Sequence, residues 1–236
     1  MPLLLAIDTC GPVGSVALGR LEGGQVALLA ESILEGRTYS STLLTAIDVL
    51  LHAQDVRLAD LAALVVVNGP GSFTGVRVGL ATAKGLAEPG QIPVLALSRL
   101  EVLASASGVP TVALDAHRHE IYLRYASAGE AARELLAGAE ELAALAPPRQ
   151  VAACDEAAAE VLAAAWPGTE LVRAPAPSAA AALRLAVPRF VANSFDNLAL
   201  LDGHYLRRSD AEIFGESIAA QIGHGPHVLQ ANRHHA

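Results

Sequence analysis

Asn68-Gly69-Pro70-Gly71-Ser72-Phe73-Thr74-Gly75-Val76-Arg77-Val78-Gly79-Leu80-Ala81-Thr82-Ala83-Lys84-Gly85-Leu86-Ala87 follows an apolar run, Ala63 to Val67, that reads as a buried strand. The run enters a glycine-rich turn, and the turn opens a helix from about Gly75 to Glu88. Gly75, Gly79, Ala83 and Ala87 recur four apart and therefore share one helix face. An interior helical glycine costs about 1 kcal/mol relative to alanine, so two on one face imply that another backbone comes close. The stripe is read as a docking surface for a partner helix. A Walker A loop would need Lys-Ser or Lys-Thr after the last glycine; Val76 and Arg77 stand there instead. The dinucleotide fingerprint fails as well, with Thr74 in the place of its third glycine. The N–H groups at the helix start could hold an anion, or the turn could simply join strand to helix.

Working outward, Leu3 to Asp8, Gly14 to Gly19 and Val26 to Ser32 read as strands joined by hairpin-like turns. A helix from about Ser40 to Ala53 carries Leu43, Leu44, Ile47, Leu50 and Leu51 at helical spacing, with Ser40 or Ser41 as its cap. Beyond the opening stretch lie a strand, Ile92 to Leu97, and a helix capped by Ser98 that ends near Ser105. Strands restart at Thr111 to Asp115 and Glu120 to Tyr125. The Ala-, Glu- and Pro-rich stretch from Gly129 to Pro148 is expected to be helical in part. A strand from Val151 to Cys154, a helix from Glu156 to Ala165 and a strand from Glu170 to Arg173 follow. A helix capped by Ser178 reaches about Leu185, Leu200 to Arg208 is irregular, and Ala211 to Ile222 is a short helix. The expected units are 1–103, 104–222 and a loose tail, 223–236, with His224, His227, His234 and His235.

The 236 residues are 53% hydrophobic with a mean hydropathy of +0.40, yet aromatics are only 4%, so alanine builds much of the core. No apolar run approaches the ~20 residues of a membrane helix. Met1 to Asp8 lacks the basic start of a signal peptide, and a cytoplasmic protein is expected. The net charge of −8 and the lack of a basic stripe argue against a protein that binds nucleic acid alone. Cys10 and Cys154 match no metal or redox spacing; a small buried thiol is the reading for Cys10. Lys84 is the only lysine. His117 and His119 stand two apart at a strand edge, which is too few ligands for zinc, and no metal site is expected. There is no His-Glu-x-x-His helix and no serine or cysteine with a recognisable base, so peptidase chemistry finds no support.

Strand-strand-strand-helix-strand-helix-strand-helix is the element order of the actin-like half-fold. The expected fold class is therefore α/β: two actin-like (ASKHA, ribonuclease H-like) lobes, each a mixed five-stranded sheet with flanking helices, the second reduced. In that superfamily the turn after the first strand holds phosphate. Asp8-Thr9-Cys10-Gly11-Pro12-Val13-Gly14-Ser15 sits in this place, which makes Asp8, Thr9 and Ser15 a candidate vestigial nucleotide or anion site. Asp8 could orient a metal-bound water, or accept N–H bonds within its own turn. The second loop position, Asp115-Ala116-His117-Arg118, has no glycine for close approach to phosphate.

Ala6-Ile7-Asp8-Thr9, Ser15-Val16-Ala17-Leu18, Asn68 to Ala87, Leu114 to Tyr122 and Tyr205-Leu206-Arg207-Arg208 together resemble the TsaB (YeaZ) family, strongly over residues 1–125 and thinly beyond. Where that family usually has Arg-x-His-Ser-Glu-x-Leu-Leu-Pro, this chain has Tyr39, Ser41 and Thr45 in place of the histidine, glutamate and proline. The resemblance implies a non-catalytic interaction subunit of the bacterial machinery that makes threonylcarbamoyladenosine (t6A) in tRNA. It implies a heterodimer with a TsaD-like transferase, a TsaE-like ATPase as third component, a homodimer when alone, and tRNA reached only through the complex. No catalytic residue and no cofactor of its own are implied, with ATP or ADP held at the complex junction. The interface is expected at Leu43, Leu44, Ile47, Leu51, Gly75, Val76, Gly79, Leu80, Ala83 and Ala87. The competing reading is a small actin-like ATPase or kinase using the Asp8–Ser15 turn.

Overall fold

The structure, a computed structural model, describes residues 1–36, 38–127 and 129–207. The expected helix at Ala211 to Ile222 and the tail lie outside the described residues.

In the first half, β1 (Leu3–Asp8), β2 (Val13–Glu22) and β3 (Gln25–Glu35) form an antiparallel meander. α1 (Tyr39–Ala53) leads to β4 (Leu61–Val67), α2 (Phe73–Gly90) to β5 (Val94–Leu97), and α3 (Arg99–Ser107) follows. The sheet order is β3-β2-β1-β4-β5, with β4 and β5 parallel to β1. β1 and β4 are central and covered on both faces, which is why they read as unbroken apolar runs and not as alternating ones.

The second half repeats the plan. β6 (Val112–Asp115), β7 (Ile121–Tyr125) and β8 (Arg133–Ala137) form the meander, and α4 (Ala139–Ala143) precedes β9 (Gln150–Ala153). α5 (Glu156–Ala165), β10 (Glu170–Arg173) and α6 (Ala179–Val191) complete it, in the order β10-β9-β6-β7-β8. Two mixed five-stranded sheets with flanking helices match the expected fold class. β8 replaces part of the helix expected between Gly129 and Pro148. α6 also runs on to Val191, past the expected end near Leu185.

The two halves exchange their last helices. α3 packs Leu100 and Leu103 against Val112 and Leu114 of the second sheet. α6 packs Ala179, Ala182, Leu183 and Ala186 into the core of the first. Gly19 of β2 admits it, since a Cβ there would stand 3.1 Å from the Leu183 side chain. Residues 179–191, placed with the second lobe from the sequence, thus cover the first sheet.

α1 and α2 cover the opposite face of the first sheet, and here the expected interface must be corrected. Gly75, Val76, Gly79, Leu80, Ala83 and Ala87 are the buried residues of α2. Leu43, Ile47 and Leu51 are buried on α1. Of the ten residues assigned to a partner, only Leu44 is exposed, at 60%. The backbone that comes close belongs to this chain. A Cβ on Gly75 would collide with the Thr9 carbonyl oxygen, and one on Gly79 with the Thr9 hydroxyl. Gly85, on the outer face, would meet nothing within 4 Å.

Gly79→Leu is therefore expected to destabilise the isolated protein by about 3 kcal/mol or more. Gly85→Ala should stabilise it by up to ~1 kcal/mol. Urea unfolding of the two variants checks both signs; a Gly79→Leu protein with wild-type stability would refute the packing.

Candidate functional site

The turn after β1 is the candidate site, and most of its polar side chains are engaged within the chain. Asp8 and Thr9 are fully buried and Ser15 is 2% exposed. Asp8 Oδ1 accepts the Cys10 N–H at 2.9 Å, so the carboxylate does cap its own turn. Thr9 Oγ1 donates to the Gly75 carbonyl at 2.7 Å. Ser15 Oγ accepts the N–H of Ala179 at 2.8 Å, in the first turn of α6. The Gly69-Pro70-Gly71 turn, with a cis Gly69–Pro70 bond, lies directly on the site: the Ser72 N–H donates to the Cys10 carbonyl at 2.8 Å.

Tyr39, one of the departures from the family pattern, closes the turn from α1. It is buried, and its hydroxyl donates to the Gly11 carbonyl at 2.7 Å. Burial, with the nearby Asp8 charge, pushes the phenol up to about 12, so it remains a donor. Arg99, at the start of α3, comes from the other side. It is 7% exposed, and its guanidinium leaves no space for a Cβ on Gly11. Cys10 is buried with its Sγ 3.1 Å from the Val67 carbonyl, and burial followed by the Asp8 charge raises its thiol well above the ordinary value. It is an inert core thiol. Asp8 Oδ1, Thr9 and Ser15 are thus engaged within the chain, which does not favour the ATPase reading, while Asp8 Oδ2 and Arg99 Nε are left without a hydrogen-bond partner.

The second loop is different. His117, Arg118 and His119 have φ of 61°, 58° and 62°, three successive non-glycine residues in the left-handed region. His117 Nδ1 lies 2.8 Å from Asp115 Oδ2. The loop edges a cavity of about 790 Å³ whose floor is Leu142 and the alanines of α4 and α5. Among the described residues no group of three His, Cys, Asp or Glu could hold a metal. No described helix is long and apolar enough to cross a membrane.

A second cavity, about 550 Å³, is lined by Asn68, Ser98, Glu101, Arg124, Glu134 and His204 among others. Glu134 is its hub. Its Oε2 accepts from Ser98 Oγ at 2.6 Å and lies 2.8 Å from His204 Nε2, while Arg124 approaches Oε1 at 3.1 Å. Burial alone would raise Glu134, but the bonds from His204 and Ser98 and the charges of His204 and Arg124 hold it below the ordinary carboxylate value. The bond to Glu134, opposed by burial and aided by its charge and that of Glu101, raises His204. The segment after α6 is further tied by Asp196, which accepts the Ala96 N–H at 2.7 Å and pairs with Arg189 at 3.0 Å. Nearby, Arg77 lies over the Phe73 ring at 3.6 Å, and its Nε donates to the Tyr205 hydroxyl at 3.3 Å.

Arg99, Glu134 and His204 had escaped the reading of the sequence. Arg99 did carry a signal: a cation in the first turn of a helix opposes the macrodipole and so calls for an anionic partner. Glu134 and His204 carried none.

A two-lobed actin-like protein whose turn after the first strand is filled from within is the class that this fold and site define. Residues 29–221 match the family described as "TsaD: tRNA N6-adenosine threonylcarbamoyltransferase", and the chain belongs to that family, as a TsaB (YeaZ) relative. The tRNA threonylcarbamoyladenosine biosynthesis protein TsaB of Haemophilus influenzae is 38% identical over 125 residues, 50% of this chain and 51% of that protein. TsaB of Bacillus subtilis is 37% identical over 124 residues, 50% and 52% of the two chains. The matches thus span about half the length of these curated relatives. The structure of YeaZ from Pseudomonas aeruginosa superposes with a TM-score of 0.69 at 28% identity, covering 87% of this chain and all of that one.

Two measurements test the site. Tyr39→Phe should cost about 1–2 kcal/mol by leaving the buried Gly11 carbonyl unpaired. For His204, whose folded value is raised, the stabilisation is complete below about 6.5 and disappears as the pH rises through that raised value. Glu134, whose folded value is lowered, contributes above about 4.5 and loses its part in acid. The stability deficit of His204→Gln should therefore be largest between these two values and shrink toward alkaline pH, as read from urea midpoints across a pH series.

Proposed function

We propose that this protein is a non-catalytic interaction subunit of the machinery that makes threonylcarbamoyladenosine in tRNA, and that it supports a TsaD-type transferase by pairing with it. The observation that carries the reading is the spent turn: Asp8, Thr9 and Ser15 are buried and bonded within the chain, where an enzyme of this fold would need them free. The family membership and the TsaB relatives support the pathway. A protein with nothing left for chemistry in its own turn contributes through its surface.

The surface we assign is the outer face of α1 and α2, not the buried stripe. Leu44 and Val49 are exposed at 60% and 61%. Ala81 and Gly85 are exposed four apart on α2. Small residues there let a facing helix approach to ~8 Å between axes. In this reading a TsaE-like ATPase joins as a third component. Any ATP or ADP sits at the junction of subunits, and tRNA is contacted through the partner because a chain of net charge −8 repels it. The same outer face would support self-association in the partner's absence.

Co-purification with the TsaD-type transferase from the same genome is the direct test. Ala81→Arg and Leu44→Glu should each weaken that association at least about tenfold, a loss of ~1.4 kcal/mol, while leaving the melting temperature of the isolated chain within a few degrees. The isolated chain should show no ATP turnover above a blank. Normal association by both variants would refute the interface. Turnover abolished by Asp8→Asn would refute the non-catalytic role.

A further inference from the structure

Asp8 presents a problem that its own turn does not solve. The carboxylate is fully buried at the end of β1, and Oδ2 has no hydrogen-bond partner. A buried carboxylate without a counter-charge is among the costliest groups a fold can hold. The groups that face it are few. Cys10 and Tyr39 are acids that stay protonated and bring no positive charge. Among the described residues Arg99 is the one cation whose charge acts on Asp8, and it does so from beyond the 4 Å of a direct ion pair.

Arg99 has the complementary problem. It is 93% buried by its 7% exposure, its Nε has no partner, and it stands in the first turn of α3 where the helix end is already positive. Its position is set by the backbone, since its N–H donates to the Gly69 carbonyl at 2.6 Å. From there the guanidinium fills the space over Gly11 inside the turn.

We propose that Arg99 is the resident cation of the Asp8 turn: a guanidinium tethered to α3 that neutralises the buried carboxylate and occupies the turn against Gly11. The place a bound ion would otherwise take is filled by a side chain, and the turn is closed by charge as well as by packing. An arginine suits this better than a lysine because a planar, weakly hydrated cation tolerates burial.

The test uses the full-length chain with Arg99→Ala, Arg99→Met, Asp8→Asn and the double variant Asp8→Asn/Arg99→Met, followed by thermal unfolding. Arg99→Met should lower the melting temperature by on the order of 10 °C, as expected for stranding a buried charge in a chain of this size. The double variant should melt well above Arg99→Met, because the stranded charge has gone. In Arg99→Ala, guanidinium chloride at about 1–50 mM, far below its denaturing range, should raise the melting temperature by several degrees in a saturable way. Equimolar sodium chloride should not, and neither wild type nor Arg77→Ala should respond to guanidinium. The deficit of Arg99→Met should also shrink in acid. Asp8, already raised by burial against the opposing pull of Arg99, then takes up a proton at higher pH than in the unfolded chain. If Arg99→Ala does not fold, the comparison of the double variant with Arg99→Met carries the test alone. The proposal is overturned if the double variant is no more stable than Arg99→Met, or if Arg99→Met melts with the wild type.

Discussion

One buried hydrogen bond, from the Thr9 hydroxyl to the Gly75 carbonyl, organises the first half of this protein. It exists only because α2 brings bare backbone to the turn after β1, and the two interior glycines are what allow that approach. Once α2 is seated there, the Gly69-Pro70-Gly71 turn has one place to go, over Cys10. The start of α3 then falls beside Gly11. The arrangement of Tyr39, Arg99 and α6 around the turn follows from the same constraint, because each fills a side that the seating of α2 leaves open. A turn that could have received a ligand becomes the point at which four helices meet.

This changes what the glycine-rich signature means. Such loops attract attention because they cradle phosphates, yet here the glycines serve the approach of one part of the chain to another. Asp8 Oδ1, Thr9 and Ser15 have partners within the chain. The outer faces of α1 and α2 carry the exposed Leu44, Val49, Ala81 and Gly85.

The fold was legible in the sequence because its signals are local. Continuous apolar runs marked the central strands, three- and four-residue spacing marked α1, and serines marked the starts of α3 and α6. β8 was missed for a physical reason: Arg133, Glu134, Leu135, Leu136 and Ala137 are all good helix formers, and only pairing with β7 makes them a strand. The glycine stripe told correctly that a backbone comes close, but spacing on one helix cannot say whose backbone it is. The Asp8–Arg99 and Glu134–His204 relations join residues far apart in the chain, and no short window contains both members. The departure at Tyr39 was visible, but its role needed the position of Gly11.

The exchange of α3 and α6 between the halves bears on how the chain is made. During synthesis the first sheet leaves the ribosome early, with α1 and α2 ready to cover one face. Its other face, around Leu4, Ala6 and Gly19, has no cover until α6 emerges, after the whole second sheet. Through that interval the nascent chain displays a wide apolar surface built on the first strands it produced. Each sheet takes part of its cover from the other half, and a ribosome stalled between them would leave that surface open to chaperones and proteases.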